Sequence, residues 1–178
     1  MKVIEVKILD VNRDEFISKL NQQKISDEEE FLITESYWLS PLSSDRVRIR
    51  EYELLTDHTS RVFLTIKKDE EAADRPSILS TRNEVNVEMF SEKDAMDFLD
   101  ILGFRRIKVL QKERYKFRYN DLCIQFDKMG DLNWMEVEAP SESLVYAFLF
   151  EMGYSLNDLC NKSTEDLHNE QVAKGWEK

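Results

Sequence analysis

Ionised and aliphatic residues alternate in several short runs: Ile4-Glu5-Val6-Lys7-Ile8, Arg46-Val47-Arg48-Ile49-Arg50, Thr65-Ile66-Lys67, Arg82-Asn83-Glu84-Val85 and Trp134-Met135-Glu136-Val137-Glu138. Side chains of a strand point alternately to the two faces of its sheet, so in each run the charges share one face. The patterning predicts strands at 2–9, 31–40, 46–54, 61–68, 80–89, 105–119, 121–128 and 133–139. Asn120-Asp121 reads as a tight turn between two of them.

Helical spacing appears in three places. The first helix opens at Asn12, with Glu15 in capping-box spacing, and carries Phe16, Ile17 and Leu20. The second has Ser91 as N-cap, Asp94 three residues on, a stripe of Ala95, Phe98, Leu99 and Leu102, and Gly103 as its stop. The third starts near Ser141, runs through Leu144, Val145, Phe148 and Leu149, and ends at Gly153. Shorter helical stretches follow Ser155 and Thr164, and residues 69–77 read as an exposed loop. Each main helix follows a strand bearing a glutamate (Glu5, Glu84, Glu136), a loose strand-then-helix recurrence. Many strands with three covering helices predict an α+β fold, an eight-stranded antiparallel β-barrel flanked by helices, rather than a βαβ fold. One domain is expected over 1–178, with a core of 2–160 and a helical tail at 161–178.

Composition narrows the function classes. At 178 residues, 42% hydrophobic and 34% charged, the chain is long and apolar enough to fold around a core. A net charge of -11 disfavours a nucleic-acid-coating protein, whose affinity rests on a basic surface. No apolar run approaches the roughly 20 residues that span a bilayer, so no membrane partner is expected. Cys123 and Cys160 have no metal-ligand spacing, which points to a reduced, cytoplasmic setting. Four glycines rule out a glycine-rich phosphate loop, and the two histidines, His58 and His168, have no ligand-like neighbours.

The candidate chemistry lies in the alternating strands. Lys7, Arg48, Arg50, Lys67, Arg82, Lys112 and Arg114 come from at least five strands. Such donors suit phosphate oxygens, and the planar fork of arginine meets two at once. Glu5, Glu84, Asp127, Glu136 and Glu138 fall on the same face, and an oxygen-only carboxylate set suits Mg²⁺ or Mn²⁺. Two plainer readings stand beside these: a solvated sheet face for the cations, and a cross-strand salt-bridge ladder for the acids. Tyr37, Trp38 and Trp134 could stack on a base, although core packing is the commoner fate of strand aromatics.

These segments, in order, match a known family. Ile4-Glu5-Val6-Lys7-Ile8 supplies the second half of a Glu-x-Glu-x-Lys strand, and Val47-Arg48-Ile49-Arg50 fits a Leu-Arg-x-Arg strand. Leu64-Thr65-Ile66-Lys67, Arg82-Asn83-Glu84 and Lys112-Glu113-Arg114 fit the later basic strands, and Asp127 through Glu138 fits an Asp…Gly…Phe-x-Glu-x-Glu segment. From about residue 2 to 160 the chain thus resembles the CYTH-domain proteins, also called triphosphate tunnel metalloenzymes. That family includes class IV adenylyl cyclases, thiamine triphosphatases and inorganic triphosphatases.

The resemblance implies an eight-stranded tunnel in which Lys7, Arg48, Arg50, Lys67, Arg82, Lys112 and Arg114 clamp a triphosphate. Glu5, Glu84, Asp127, Glu136 and Glu138 would hold Mg²⁺ or Mn²⁺, with Glu5 and Lys7 nearest the chemistry. The implied activity is triphosphate hydrolysis or adenylate cyclisation. The implied partners are ATP, thiamine triphosphate or tripolyphosphate, and a second copy of the chain as a homodimer. Val3 stands where the family has its first glutamate, and the Asp127–Glu138 segment is one residue short and lacks a second glycine. Those departures motivate the alternative of a catalytically degenerate nucleotide- or polyphosphate-binding protein.

Overall fold

The computed structural model describes residues 4–42, 46–67, 80–81 and 84–173. Along them run β1 (Ile4–Leu9), α1 (Arg13–Ser18), β2 (Ile25–Leu39), β3 (Arg46–Leu54), β4 (Ser60–Lys67), β5 (Ser80–Thr81) and β6 (Glu84–Met89). There follow α2 (Glu92–Ile101), β7 (Arg105–Tyr119), β8 (Leu122–Met129), β9 (Leu132–Ala139), α3 (Glu142–Glu151), β10 (Leu159–Cys160) and α4 (Thr164–Ala173).

All strand pairs are antiparallel, in the order β10-β1-β9-β8-β7-β2-β3-β4-β6. The two-residue strand β5 pairs β1 through Ile4↔Thr81 and Glu5↔Ser80, on the edge that β10 also uses. Only two residues separate β5 from β6, which pairs β4 near the far end of that order. The sheet is therefore curled. The architecture is α+β and antiparallel as expected, but the eight-stranded barrel becomes, among the described residues, a curled sheet of ten strands. The stretch read as one strand at 80–89 is described as two pieces, and β10 is too short to show any alternation. β2 also begins at Ile25 rather than near 31, because Ser26-Asp27-Glu28-Glu29-Glu30 has no apolar position to reveal a period. A register shift between Ser26 and Glu29, with Asp27 at φ 53°, marks the irregularity there. The loop expected at 69–77 lies outside the described residues.

The helices start and stop as their caps dictate. Asn12 Oδ1 accepts the Glu15 N–H at 3.0 Å, and Ser91 Oγ accepts that of Asp94 at 3.1 Å. α2 and α3 end alike: Gly103 (φ +78°) and Gly153 (φ +88°) reverse the chain. The Phe104 and Tyr154 N–H groups then return to the Leu99 and Leu149 carbonyls at 3.0 and 2.9 Å.

The aliphatic face of the sheet carries two packed clusters. Ile4, Val6, Ile8, Phe117, Ile124, Met135 and Val137 lie under Phe16 of α1 and Val145, Phe148 and Leu149 of α3. Trp38, Val47, Ile49, Val62 and Leu64 lie under Ala95 and Leu99 of α2. Phe98 and Leu102, expected in the same stripe, stay about half exposed, so α2 seats only a narrow seam on the sheet. With the helices holding this face, the opposite, charged face is turned inward. The C-terminal segment docks on it: Leu167 of α4 is buried against Tyr37, Leu110, Met129 and Trp134.

Candidate functional site

Burial decides between a solvated face and an enclosed one. Glu5, Lys7, Lys112, Arg114, Asp127 and Glu136 are each at most 9% exposed, although each is ionisable. Charged residues are almost never so buried unless paired or coordinated. The solvated-face reading therefore fails for them, and the charges of β1, β7, β8 and β9 converge on one interior.

Register explains how the carboxylates meet. Glu5 of β1 faces Glu138 of β9, and Lys7 faces Glu136 two residues along. The carboxylate oxygens of Glu5, Glu136 and Glu138 all lie within 4.8 Å of one another. Like charges directly opposite on paired strands repel, so three converging carboxylates suit a shared hard cation. Oxygen-only donors from two adjacent, rigid strands fit Mg²⁺ or Mn²⁺ by ligand type.

The structure does not bring Asp127 into that group. Its Oδ2 accepts from Lys112 Nζ at 2.7 Å, and Arg114 grips both oxygens through Nε and a terminal nitrogen at 2.5 Å. The same guanidinium reaches Glu136 Oε2 at 3.0 Å and so links Asp127 to the carboxylate trio. Burial disfavours the Arg114 charge, but Asp127 and Glu136 outweigh it and raise its pKa well above the usual value. Lys7 Nζ lies 3.4 Å from Glu136 Oε1 and donates to the Lys162 carbonyl at 2.9 Å. Trp134, 1% exposed, is held between Lys7 and Lys112, whose ammonium groups sit 5.8 and 5.4 Å from its ring, and its N–H donates to Glu136. It walls the charged interior, whereas Trp38 belongs to the core under α2.

Sequence reading missed Glu35, the most buried acid of the interior at 1% exposure. It lies on β2 opposite Arg50 of β3. Arg50 donates to its Oε1 through Nε at 2.7 Å, Arg48 approaches to 3.5 Å, and the Tyr37 hydroxyl donates to its Oε2 at 2.7 Å. Burial alone would raise its pKa, but Arg50, Arg48, Lys112 and the Tyr37 hydroxyl hold the carboxyl well below 4.5. Arg50 also donates to the Tyr52 hydroxyl at 2.7 Å. Glu35 shares its face of β2 with Ile33 and Tyr37, so its inward direction was readable. Its meeting with Arg50 depends on register, which was not.

A pH dependence follows. A carboxyl whose folded pKa is depressed contributes stability above its unfolded value, and that contribution is lost as pH falls through the folded value. Urea unfolding followed below pH 4.5, the ordinary value for this group, should show stability falling more steeply in the native chain than in Glu35→Gln. Equal slopes would show that Glu35 is not held ionised by the arginines.

The remaining predicted residues are less complete. Lys67 and Glu84 are Cα partners at the end of the β4–β6 pair, but their side chains lie outside the described residues, as do Arg82 and Val3 altogether. His58 is exposed beside Glu53, as expected of a surface histidine. Cavities of about 570 and 430 Å³ adjoin the site residues. The first reaches Asp127 and Trp134, the second Arg50, Glu138 and Gln125, and both reach Arg114.

The CYTH domain model matches residues 1–158. The chain belongs to the CYTH domain family. Among solved structures the CYTH chain is similar to PH1819 of Pyrococcus horikoshii OT3, with a TM-score of 0.75 and 22% identity over 95% of this chain and 99% of that one. It is also similar to a candidate adenylate cyclase of Vibrio parahaemolyticus, with a TM-score of 0.68 and 15% identity over 94% and 97% of the two chains. HpAC1 of Hippeastrum, described as a candidate adenylyl cyclase with a dominant triphosphatase activity, aligns with a TM-score of 0.56 and 15% identity over 98% and 96%. At these identities the likeness shows the CYTH fold alone. A sequence search of the curated proteins finds no match. No described helix is long and apolar enough to cross a membrane.

Proposed function

We propose that this CYTH-family chain binds a triphosphate together with a divalent cation and hydrolyses it. The observation that carries the reading is the convergence of the buried Glu5 and Glu136 with the partly exposed Glu138, beside the guanidinium groups of Arg50 and Arg114. Buried ion pairs seldom stabilise a fold more than apolar packing of the same volume would. An interior built from them is better explained by a ligand than by stability.

Charge balance favours a metal complex over a bare anion. Among the described side chains, Lys7, Arg48, Arg50, Lys112 and Arg114 stand against Glu5, Glu35, Asp127, Glu136 and Glu138. Such a balanced interior attracts a highly charged polyanion weakly, while a triphosphate already partly neutralised enters with little electrostatic cost. A divalent cation held by Glu5, Glu136 and Glu138 would supply charge neutralisation on the phosphate oxygens. Arg50 and Arg114 are oriented by Glu35 and Asp127, and the N–H groups that those bonds leave over would donate to those oxygens. Lys7 adds a compact positive charge next to Glu136, where it can stabilise charge developing on a leaving phosphate. HpAC1, with the same fold, has triphosphatase activity, which favours hydrolysis over cyclisation. We further propose that the sheet closes into a tunnel. The support is that β5 and β6, nearly continuous in sequence, pair β1 and β4 respectively.

The experiment is direct. Tripolyphosphate, ATP and thiamine triphosphate, each with Mg²⁺ or Mn²⁺, should release orthophosphate, and chelation of the metal should stop it. Cyclic AMP with pyrophosphate would show cyclisation instead. A rise in melting temperature without turnover would show the degenerate binder that Val3 suggests, since ligands of the native state alone stabilise it. Neither turnover nor a shift would end the reading.

A further inference from the structure

β6 stands at the end of the strand order, and among the described residues only β4 pairs with it. That pairing runs from Val62↔Met89 to Lys67↔Glu84 without a register shift. Natural edge strands are commonly guarded by proline, lysine or a bulge. Glu84-Val85-Asn86-Val87-Glu88-Met89 has neither proline nor lysine, and its pairing is regular throughout.

The helix-covered face of this edge is apolar and only partly covered. Val85 and Val87 share it with Ile66, the cross-strand partner of Val85, and all three are about half exposed or more. The seating of α2 extends the patch. Arg106 of β7 reaches Met96 Sδ at 3.8 Å, so the Met96 flank of the helix is turned towards β7 and β2. Phe98 lies about 200° further round, with Leu102 one turn on, so their flank overhangs β4 and β6. Both are about half exposed. Ile66, Val85, Val87, Phe98 and Leu102 thus border one apolar groove along the sheet edge. A contiguous apolar face marks an interaction site more often than isolated exposed residues do.

Charge decides what the groove admits. α2 carries Glu92, Asp94, Asp97 and Asp100 against a single lysine, Lys93, which is bonded to Asp97. Among the described residues Glu92, Asp94 and Asp100 form no ion pair. Asp94 lies one turn before Phe98, on the groove side of the helix. With a net charge of -11 on the chain, a second copy or an anionic lipid surface would approach against repulsion. A cationic partner is drawn in.

We propose that β6 and the overhanging flank of α2 form a docking edge for an extended segment of a partner protein, with apolar and basic residues alternating along it. The segment pairs with β6 as an added strand. Its apolar side chains fall beside Val85, Val87 and Phe98, and its lysines or arginines fall on the face of Glu88. Glu88 accepts from Arg61 at 2.8 and 3.0 Å, one bond to each oxygen, and each oxygen keeps a second acceptor site. The edge uses none of the residues of the triphosphate reading and stands independently of it.

Fluorescence anisotropy with three capped, labelled peptides tests it: alternating lysine and valine, alternating glutamate and valine, and the lysine peptide with a central proline. The first should bind saturably, one to one, and at least about 10-fold tighter than either of the others. Hydrogen exchange at the β6 amides should slow when it is added. Val87→Asp should weaken it about 10-fold despite the added negative charge, and Phe98→Gln should do the same, as truncated interface anchors do. Both variants should fold, since each side chain is already about half exposed. Equal binding of the proline peptide, or no effect of either variant, would mean attraction by net charge alone and overturn the docking edge. Absence of saturable binding would overturn it as well. A chain that dimerises in sedimentation and becomes monomeric on Val87→Asp would give the face to a second copy and overturn the partner segment.

Discussion

Glu138→Gln should lower metal-supported triphosphate turnover by about 100-fold or more, with only a small change in stability. The substitution keeps the volume of the side chain and removes one of three converging negative charges. Loss of an outer partner of a metal ligand typically costs 10–100-fold in affinity or activity, and a direct ligand should cost at least the upper end of that. Raising Mg²⁺ or Mn²⁺ should recover part of the rate, because the deficit lies in cation affinity. Glutamine also relieves the repulsion between Glu138 and its cross-strand partner Glu5, so the folded state should not suffer. Turnover measured against metal concentration checks this, and an unchanged metal dependence would remove Glu138 from the cation site.

Asp127→Asn should act on stability first. This 2%-exposed carboxylate receives one bond from Lys112 and two from Arg114, and amidation leaves both cations buried without that charge, Arg114 keeping Glu136 and Lys112 the field of Glu35. Breaking a buried pair by removing one partner costs about 3–5 kcal/mol, most of it the penalty of the charge left behind. Urea unfolding at neutral pH should show a loss of that order. The variant also makes the interior more positive, so Mg²⁺ with tripolyphosphate should raise its melting temperature more than that of the native chain. A loss below about 1 kcal/mol, the range of exposed pairs, would mean that water reaches this pair.

Much of the site was legible before the fold was known, and particular residues show why. Glu5, Lys7, Arg48, Arg50, Glu136 and Glu138 have aliphatic neighbours and Lys112 and Arg114 stand two apart in one strand, and a two-residue period assigns each to a face whatever the strand pairs with. The helix caps at Asn12, Ser91 and Ser141, and the stops at Gly103 and Gly153, are short-range effects and appear as expected. Asp127 was placed on the right face but with the wrong companions, because the choice between the carboxylate trio and the Lys112–Arg114 pair is a matter of lateral position. Glu35 and Tyr52 carry as much of the arrangement and left little trace. Neither of them belongs to a run of ionised and aliphatic residues in alternation, and the role of each comes from what lies across from it.

Alternation and capping, which are properties of neighbouring residues, were thus determined by the amino-acid order alone: where most of the longer strands lie, which of their side chains share a face, and where α1, α2 and α3 begin. Whether that charged face met water or an interior was settled only by the curl of the sheet and the packing of helices on its other side. Register did the rest, setting Glu5 against Glu138 and Glu35 against Arg50. Those pairings join segments far apart in the chain, and their energy depends on distances that no local pattern encodes.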